Sequence, residues 1–285
     1  MNNAIEIRSL KKCYPDFTLD DVSFTLPEGS IMGFIGENGA GKTTTIKSIL
    51  GLIHPEGGEI TVLGKDPAKN RREIGEEIGV VLDGAFFHDT MRPNDISSVM
   101  SRIHSHWDSQ MFSEYCHRFS LPMRKPAKDF SKGMKAKLAL AVALSHHPRL
   151  LILDEATSGL DPVVRNEMLD LFLEFIEDEK HSILLSSHIT SDLEKIADYI
   201  TFLHNGKIIF SMSKDEMMER FGVLKCGKAD ESRLDRRHIL GERRSRFDCE
   251  FLVDNRMDSA YREMLIEPAS IDDIMTFFAK GANQE

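Results

Sequence analysis

Gly36-Glu37-Asn38-Gly39-Ala40-Gly41-Lys42-Thr43 has the glycine spacing and the closing Lys-Thr of a complete phosphate-binding loop. The apolar run Ile31-Met32-Gly33-Phe34-Ile35 ahead of it predicts a strand, and Thr44 to Leu50 behind it predicts a helix. Glycines let successive backbone N–H groups curl around an anion, and the helix N-terminus adds its positive end. Lys42 is then placed for the β- and γ-phosphates, and the Thr43 hydroxyl for a magnesium ion. Gly36, Asn38, Gly39, Ala40, Gly41, Lys42, Thr43 and Thr44 are the candidate nucleotide ligands, and the nucleotide is ATP or GTP.

A hydrolytic set lies further along the chain. Leu150 to Leu153 is an almost unbroken apolar run, as expected of a central parallel strand covered on both faces. It carries Asp154 to its end, where the carboxylate can hold magnesium directly or through water. Glu155, one residue on, is placed to polarise an attacking water as general base. His188, after Ile183-Leu184-Leu185 and Ser186-Ser187, can contact the γ-phosphate or orient that water. Lys42, Glu155 and His188 are the candidate catalytic residues.

Around these motifs the pattern predicts strands at Ala4–Leu10, Leu19–Leu26, Glu59–Leu63, Ile78–Leu82 and Ser182–Leu185. Tyr199–Phe202 and Lys207–Phe210 predict a hairpin about Asn205-Gly206. Residues 90–148 are helix-prone, broken by Pro122 and Pro126, and helices are expected at Pro162–Glu179 and Thr190–Ala197. That order gives a nucleotide-binding α/β core with a helical insertion. Beyond about residue 215 the composition changes: charge is dense from Lys228 to Arg246, Cys249–Val253 is strand-like and Ser270–Phe278 helix-like. This predicts a small C-terminal appendage.

Bulk properties narrow the partners. A length of 285 residues suits one large domain or one domain with an appendage. The formal charge of −10 speaks against nucleic acid held by net charge, and no nucleic-acid partner is expected. Cys13, Cys116, Cys226 and Cys249 form no CxxC pair and the N-terminus has no apolar leader, so reduced thiols in a cytoplasmic protein are expected. No apolar run approaches the ~18 residues of a membrane span, so membrane association must come through a partner.

Taken in order, these motifs resemble those of the ATP-binding subunit of ATP-binding cassette (ABC) transporters. Phe130-Ser131-Lys132-Gly133-Met134 is similar to that family's signature segment and precedes a helix expected over Lys135–Leu144. Ser158-Gly159-Leu160-Asp161, after Asp154-Glu155, resembles the loop that crosses the dimer interface. His188 resembles the switch histidine, and Tyr14 falls where the family stacks an aromatic ring on adenine. The resemblance covers about residues 2–215. It implies the α/β P-loop NTPase fold of ABC ATPases: an antiparallel β subdomain, an inserted helical subdomain at about 90–145 and a small C-terminal α+β appendage. The nucleotide-binding domain would span 1–215 and the accessory region 216–285.

The resemblance also implies ATP and Mg2+ as cofactors, with Thr43, Asp83 and Asp154 as metal ligands. Two cassettes would pair head to tail, Ser131, the Gly133 N–H and Asp161 of one completing the site of the other. A homodimer is favoured, with a heterodimer as the alternative. The partner would be an integral membrane permease encoded as a separate chain, placing this protein on the cytoplasmic face of the membrane. Pro268 to Met275 looks like the closing helix of bacterial ABC-2-type exporter cassettes, so export is the expected direction.

Two departures stand out. Lys132 and Met134 occupy the signature where many relatives carry Gly and Gln, and Asp83 stands where the family usually has a magnesium-binding glutamine. Aspartate keeps an oxygen ligand but is shorter and charged, so altered metal geometry or coupling is expected. Arg243-Arg244-Ser245-Arg246 reads as a solvated surface, and His104, His106, His146 and His147 as ordinary polar residues of the helical region. Other readings are a small-molecule kinase, an importer motor, and a soluble regulatory or nucleic-acid-associated ABC ATPase. The kinase has no need of Ser131-Lys132-Gly133 or His188.

Overall fold

The computed structural model describes residues 2–84, 87–227, 234, 236–244, 248–254, 256 and 264–281. Its centre is a six-stranded sheet built from β3 (Ile31–Ile35), β5 (Ile78–Val81), β6 (Leu150–Asp154), β7 (Ser182–Ser186), β8 (Tyr199–His204) and β9 (Lys207–Ser213), numbered along the chain. Their order is β5-β6-β7-β3-β8-β9, parallel except for the β8–β9 hairpin. β3, β6 and β7 are buried at every position because alternate residues serve two different cores. Leu150, Ile152 and Leu184 face one cluster, while Leu151, Leu153, Ile183 and Leu185 face the other. That is why these strands read as unbroken apolar runs. Each such side chain contributes about 1.5–3 kcal/mol by leaving water.

The first cluster is closed by a three-stranded antiparallel sheet, in the order β2-β1-β4, of β1 (Asn3–Tyr14), β2 (Phe17–Pro27) and β4 (Gly57–Val62). β1 is longer than the expected Ala4–Leu10, because register shifts on either side of Leu10 break the alternation that the sequence pattern relies on. α1 (Lys42–Ile49) begins two residues before the expected Thr44, so Lys42 and Thr43 belong to its first turn.

The second cluster lies under α3 (Pro93–Ile103), α4 (Ser109–Arg118) and α5 (Lys132–Leu144), with Pro122 and Pro126 in the loop joining the last two. α5 starts at Lys132, not at the expected Lys135. Ser131 caps it by accepting the Met134 N–H at 3.2 Å, which draws the signature segment into the first turn. α6 (Pro162–Ile176) ends three residues before the expected Glu179, and α7 (Thr190–Ile196) lies as expected. α2 (Arg71–Glu77), ahead of β5, and α8 (Lys214–Arg220) are short polar helices without an expected counterpart.

The C-terminal part forms a four-stranded antiparallel sheet, β11-β12-β10-β13, of β10 (Phe221–Gly227), β11 (Ile239–Arg244), β12 (Asp248–Asp254) and β13 (Leu265–Pro268). α9 (Ile271–Gly281) packs on it through Ile271, Ile274 and Phe277. The apolar core crosses the expected boundary near residue 215: Phe210 meets Phe221 at 5.3 Å between ring centroids, and Phe278 meets Phe202 edge-on at 5.3 Å. Arg243 is not the solvated residue expected. It is half-buried in β11, its Nε 2.7 Å from Glu250 and its guanidinium over the Phe277 ring. Ser245 and Arg246 lie outside the described residues. Among the described residues no helix is long and apolar enough to cross a membrane.

Candidate functional site

Parallel pairing brings the C-terminal ends of β3, β5, β6 and β7 level: Phe34 lies opposite Ser186, Asp154 opposite Ser186, and Val81 opposite Leu153. In an open parallel sheet, ligands bind outside those ends. The loops leaving them carry Gly36–Thr43, Asp83, Asp154-Glu155 and His188, four segments distant in sequence. A cavity of about 250 Å³ opens there, lined by Asn38, Gly39, Lys42, Thr43, Asp154 and Glu155 among others.

The loop geometry follows from its neighbours. Gly41 has φ +111°, and a Cβ there would lie 2.5 Å from Leu19 Cδ2 and 2.7 Å from Phe17 Cζ. Only glycine fits both the backbone and the space. Lys42 is buried and donates to the carbonyl oxygens of Gly36 at 2.6 Å and Glu37 at 3.2 Å. Burial pushes its pKa down, and the nearby Glu155, Asp154 and Glu37 carboxylates oppose that shift.

Asp154 is 2% exposed. Its Oδ2 accepts the Thr43 hydroxyl at 3.0 Å, while its buried Oδ1 has no hydrogen-bond partner. A desolvated carboxylate oxygen beside a hydroxyl, with the Asp83 carboxylate on the same cavity wall, is a hard-oxygen donor set that fits a divalent cation. Glu155 follows with φ +54°, a left-handed conformation that costs about 1–3 kcal/mol unless its surroundings enforce it. Its Oε2 lies 2.5 Å from His188 Nδ1. An ionised carboxylate only accepts, so that contact places the imidazole proton on Nδ1.

Of the nominated nucleotide ligands, Asn38, Gly39, Gly41, Lys42, Thr43 and Thr44 line the cavity; Gly36 and Ala40 are buried and do not. Exposed His188 reaches the cavity through Glu155. Ser131, Gly133 and Asp161 are not brought to it: Ser131 and Asp161 are exposed at the N-caps of α5 and α6. Tyr14 does not line it either; it is 42% exposed at the end of β1, paired in register with Phe17.

Phe17 and Glu37 were missed and are in the wall. Phe17 stands two residues from Leu19 and both press on Gly41, a period-two signal that was available in the sequence. His204 was also missed, its Nδ1 3.4 Å from Glu37 Oε1. Nothing local in sequence announces that pair.

Residues 19–158 match the family described as ABC transporter. The chain is 34% identical over 223 residues to the bacitracin transport ATP-binding protein BcrA of Bacillus licheniformis, covering 77% of this chain and 73% of that one. It is 34% identical over 214 residues to the lantibiotic transport ATP-binding protein SrtF of Streptococcus pyogenes, with 74% and 91% covered. It is 33% identical to the ABC transporter ATP-binding protein NatA of Bacillus subtilis, with 70% and 83% covered. A solved structure described as an ATP-binding subunit of an ABC transporter superposes with a TM-score of 0.68 at 27% identity, over 75% of this chain and 91% of that one. With its phosphate loop, Asp154-Glu155 pair and His188 converging at the C-terminal ends of the central strands, this chain belongs to the ATP-binding, ATP-hydrolysing subunits of ABC transporters.

Proposed function

We propose that two such chains close head to tail around Mg-ATP and drive export through a separate membrane permease. The observation that carries this is the separation of Ser131 and Gly133 from their own chain's cavity. The wall holds a phosphate loop, a candidate metal site and a candidate general base, while an exposed helix-capping serine waits on another surface. In this reading each γ-phosphate lies between the loop of one subunit and the signature of the other, with Asp161 at the same interface. Exposed Val163, beside Asp161, suits such an interface. Tyr14 and Phe17, opposite each other across the β1–β2 hairpin, form the platform for the base.

Thr43, Asp83 and Asp154 would hold magnesium, whose charge would offset that of the phosphate oxygens. Lys42 pins the phosphates, Glu155 accepts the proton of the attacking water, and His188 holds Glu155 through Nδ1. A groove of about 330 Å³ between α2, α3 and α5, lined by Leu50, Leu52, Ile78, Leu82, Met100 and His146 among others, supports a permease contact. It reaches Leu82, the neighbour of Asp83 in the phosphate cavity. The relatives named for bacitracin and lantibiotic transport favour export, with the permease on the membrane and this chain on its cytoplasmic face.

Substituting Glu155→Gln tests the reading. Hydrolysis should fall at least ~100-fold while ATP stays bound, and an integral membrane protein should co-purify with the ATP-bound variant. Recovery of soluble proteins alone, with ATP bound, would favour a soluble regulatory ATPase.

A further inference from the structure

We infer that Asp192 is a positioning residue for Glu155 and His188, acting through Thr157; this rests on the reading that those two residues carry hydrolysis. Asp192, in the first turn of α7, is 1% exposed, and Thr157 is fully buried. Asp192 Oδ2 accepts the Thr157 hydroxyl at 3.0 Å, and its Oδ1 lies 3.7 Å from Nε of Arg165 on α6. A carboxylate so far from water is costly unless paired. Here its partners come from the loop after β6 and from α6, the two elements that flank Asp161.

The segment 188–192 therefore grips the segment 155–157 at two points. His188 holds Glu155 at 2.5 Å, and Asp192 holds Thr157 at 3.0 Å. Between these grips Glu155 keeps φ +54°, its N–H donating to Ser186 O and its carbonyl accepting from Ser158, both at 3.0 Å. A strained residue persists only where its surroundings over-determine it. The Thr157–Asp192 bond is the second anchor that fixes where the Glu155 carboxylate lies relative to His188. A residue that only stabilised α7 would lower stability without separating turnover from nucleotide affinity.

The test is a double-mutant cycle of Thr157→Val and Asp192→Ala in the full chain with Mg-ATP, reading kcat, KM and the His188 imidazole 13C resonance. Each single substitution should lower kcat about 10- to 100-fold, with KM within about twofold and the His188 resonance moved. The double variant should be no slower than the slower single one, because both remove the same bond. Asp192→Asn, which keeps an acceptor for Thr157, should retain most of the parent kcat. Multiplying kcat losses, a raised KM at unchanged kcat, or an unmoved His188 resonance would overturn the assignment. Should Asp192→Ala fail to fold, Thr157→Val carries the expected loss of kcat with the moved His188 resonance and Asp192→Asn the expected retention; a Thr157→Val that keeps the parent kcat would overturn the assignment. Glu155→Gln in the same assay separates the two levels: retained hydrolysis sinks the active-site reading, whereas lost hydrolysis with an additive cycle sinks only the role of Asp192.

Discussion

Two concave surfaces of this chain meet at Leu82-Asp83, and their walls have opposite chemistry. The phosphate cavity gathers Glu37, Lys42, Asp83, Asp154 and Glu155, and leaves two buried carboxylate oxygens, Glu37 Oε1 and Asp154 Oδ1, without a hydrogen bond. The groove beside it is walled by Leu50, Leu52, Ile78, Val80, Leu82 and Met100, with two stacked histidines, His104 and His146, 4.1 Å apart. Burial pushes both imidazoles below their ordinary pKa, and Glu76 opposes that shift only in part, so both are neutral at pH 7 and Arg71 is the charged residue of the groove lining. Charge is concentrated in the cavity and sparse in the groove. In the proposed function this difference gives chemistry to one surface and coupling to the other, with Asp83 at their border.

The strongest way to break this division is at Lys42. Lys42→Ala should cut ATP hydrolysis by at least ~100-fold, because the one buried cation of the cavity is gone. A loss of less than about threefold in turnover and ATP affinity together would show that the cavity does not work through charge. The converse test is a charge placed on the other surface. Leu52 is 46% exposed on the groove wall, so Leu52→Asp should leave stability within about 0.5 kcal/mol and soluble hydrolysis within about twofold. It should abolish recovery of the membrane partner in pull-down. Hydrolysis lost without loss of that partner would reverse the assignment of the two surfaces.

Smaller effects sharpen the border. Asp83→Gln removes a charge from the cavity edge and lengthens the side chain, and the magnesium concentration at half-maximal activity should shift about three- to tenfold. Magnesium titrations identical to the parent would remove Asp83 from the metal site. The mildest effect is on pH-dependent stability. Folded His104 and His146 titrate below the ordinary imidazole value of 6.5, so at acid pH the unfolded chain binds more protons than the folded one. Their contribution is complete above pH 6.5 and is lost as pH falls below it. The melting temperature should therefore drop between pH 7 and pH 5, and drop less in His146→Asn; equal slopes would detach the histidines from the acid response.

What the sequence made legible follows from how local each constraint is. The phosphate loop could be read because a run of eight residues fixes its own turns, and β3, β6 and β7 because two-sided burial leaves unbroken apolar runs. β11 could not, since its Glu242, Arg243 and Arg244 carry the charge of a loop. Their strand placement depends on β12, where Glu250 takes Arg243. Likewise the start of α5 hides in Ser131, which reads as a signature residue and serves also as the N-cap. The candidate catalytic residues were visible one by one. The Thr157–Asp192 bond, spanning 35 positions, exists only once α7 is folded against the loop after β6.

In the proposed head-to-tail dimer the site is complete only across two chains, and sedimentation of Glu155→Gln with and without Mg-ATP reads this out. A monomer is expected without nucleotide and twice the monomer mass with it, the doubling abolished by Ser131→Arg at the exposed cap of α5. A variant that binds Mg-ATP tightly and remains monomeric at micromolar concentration would rule the shared site out.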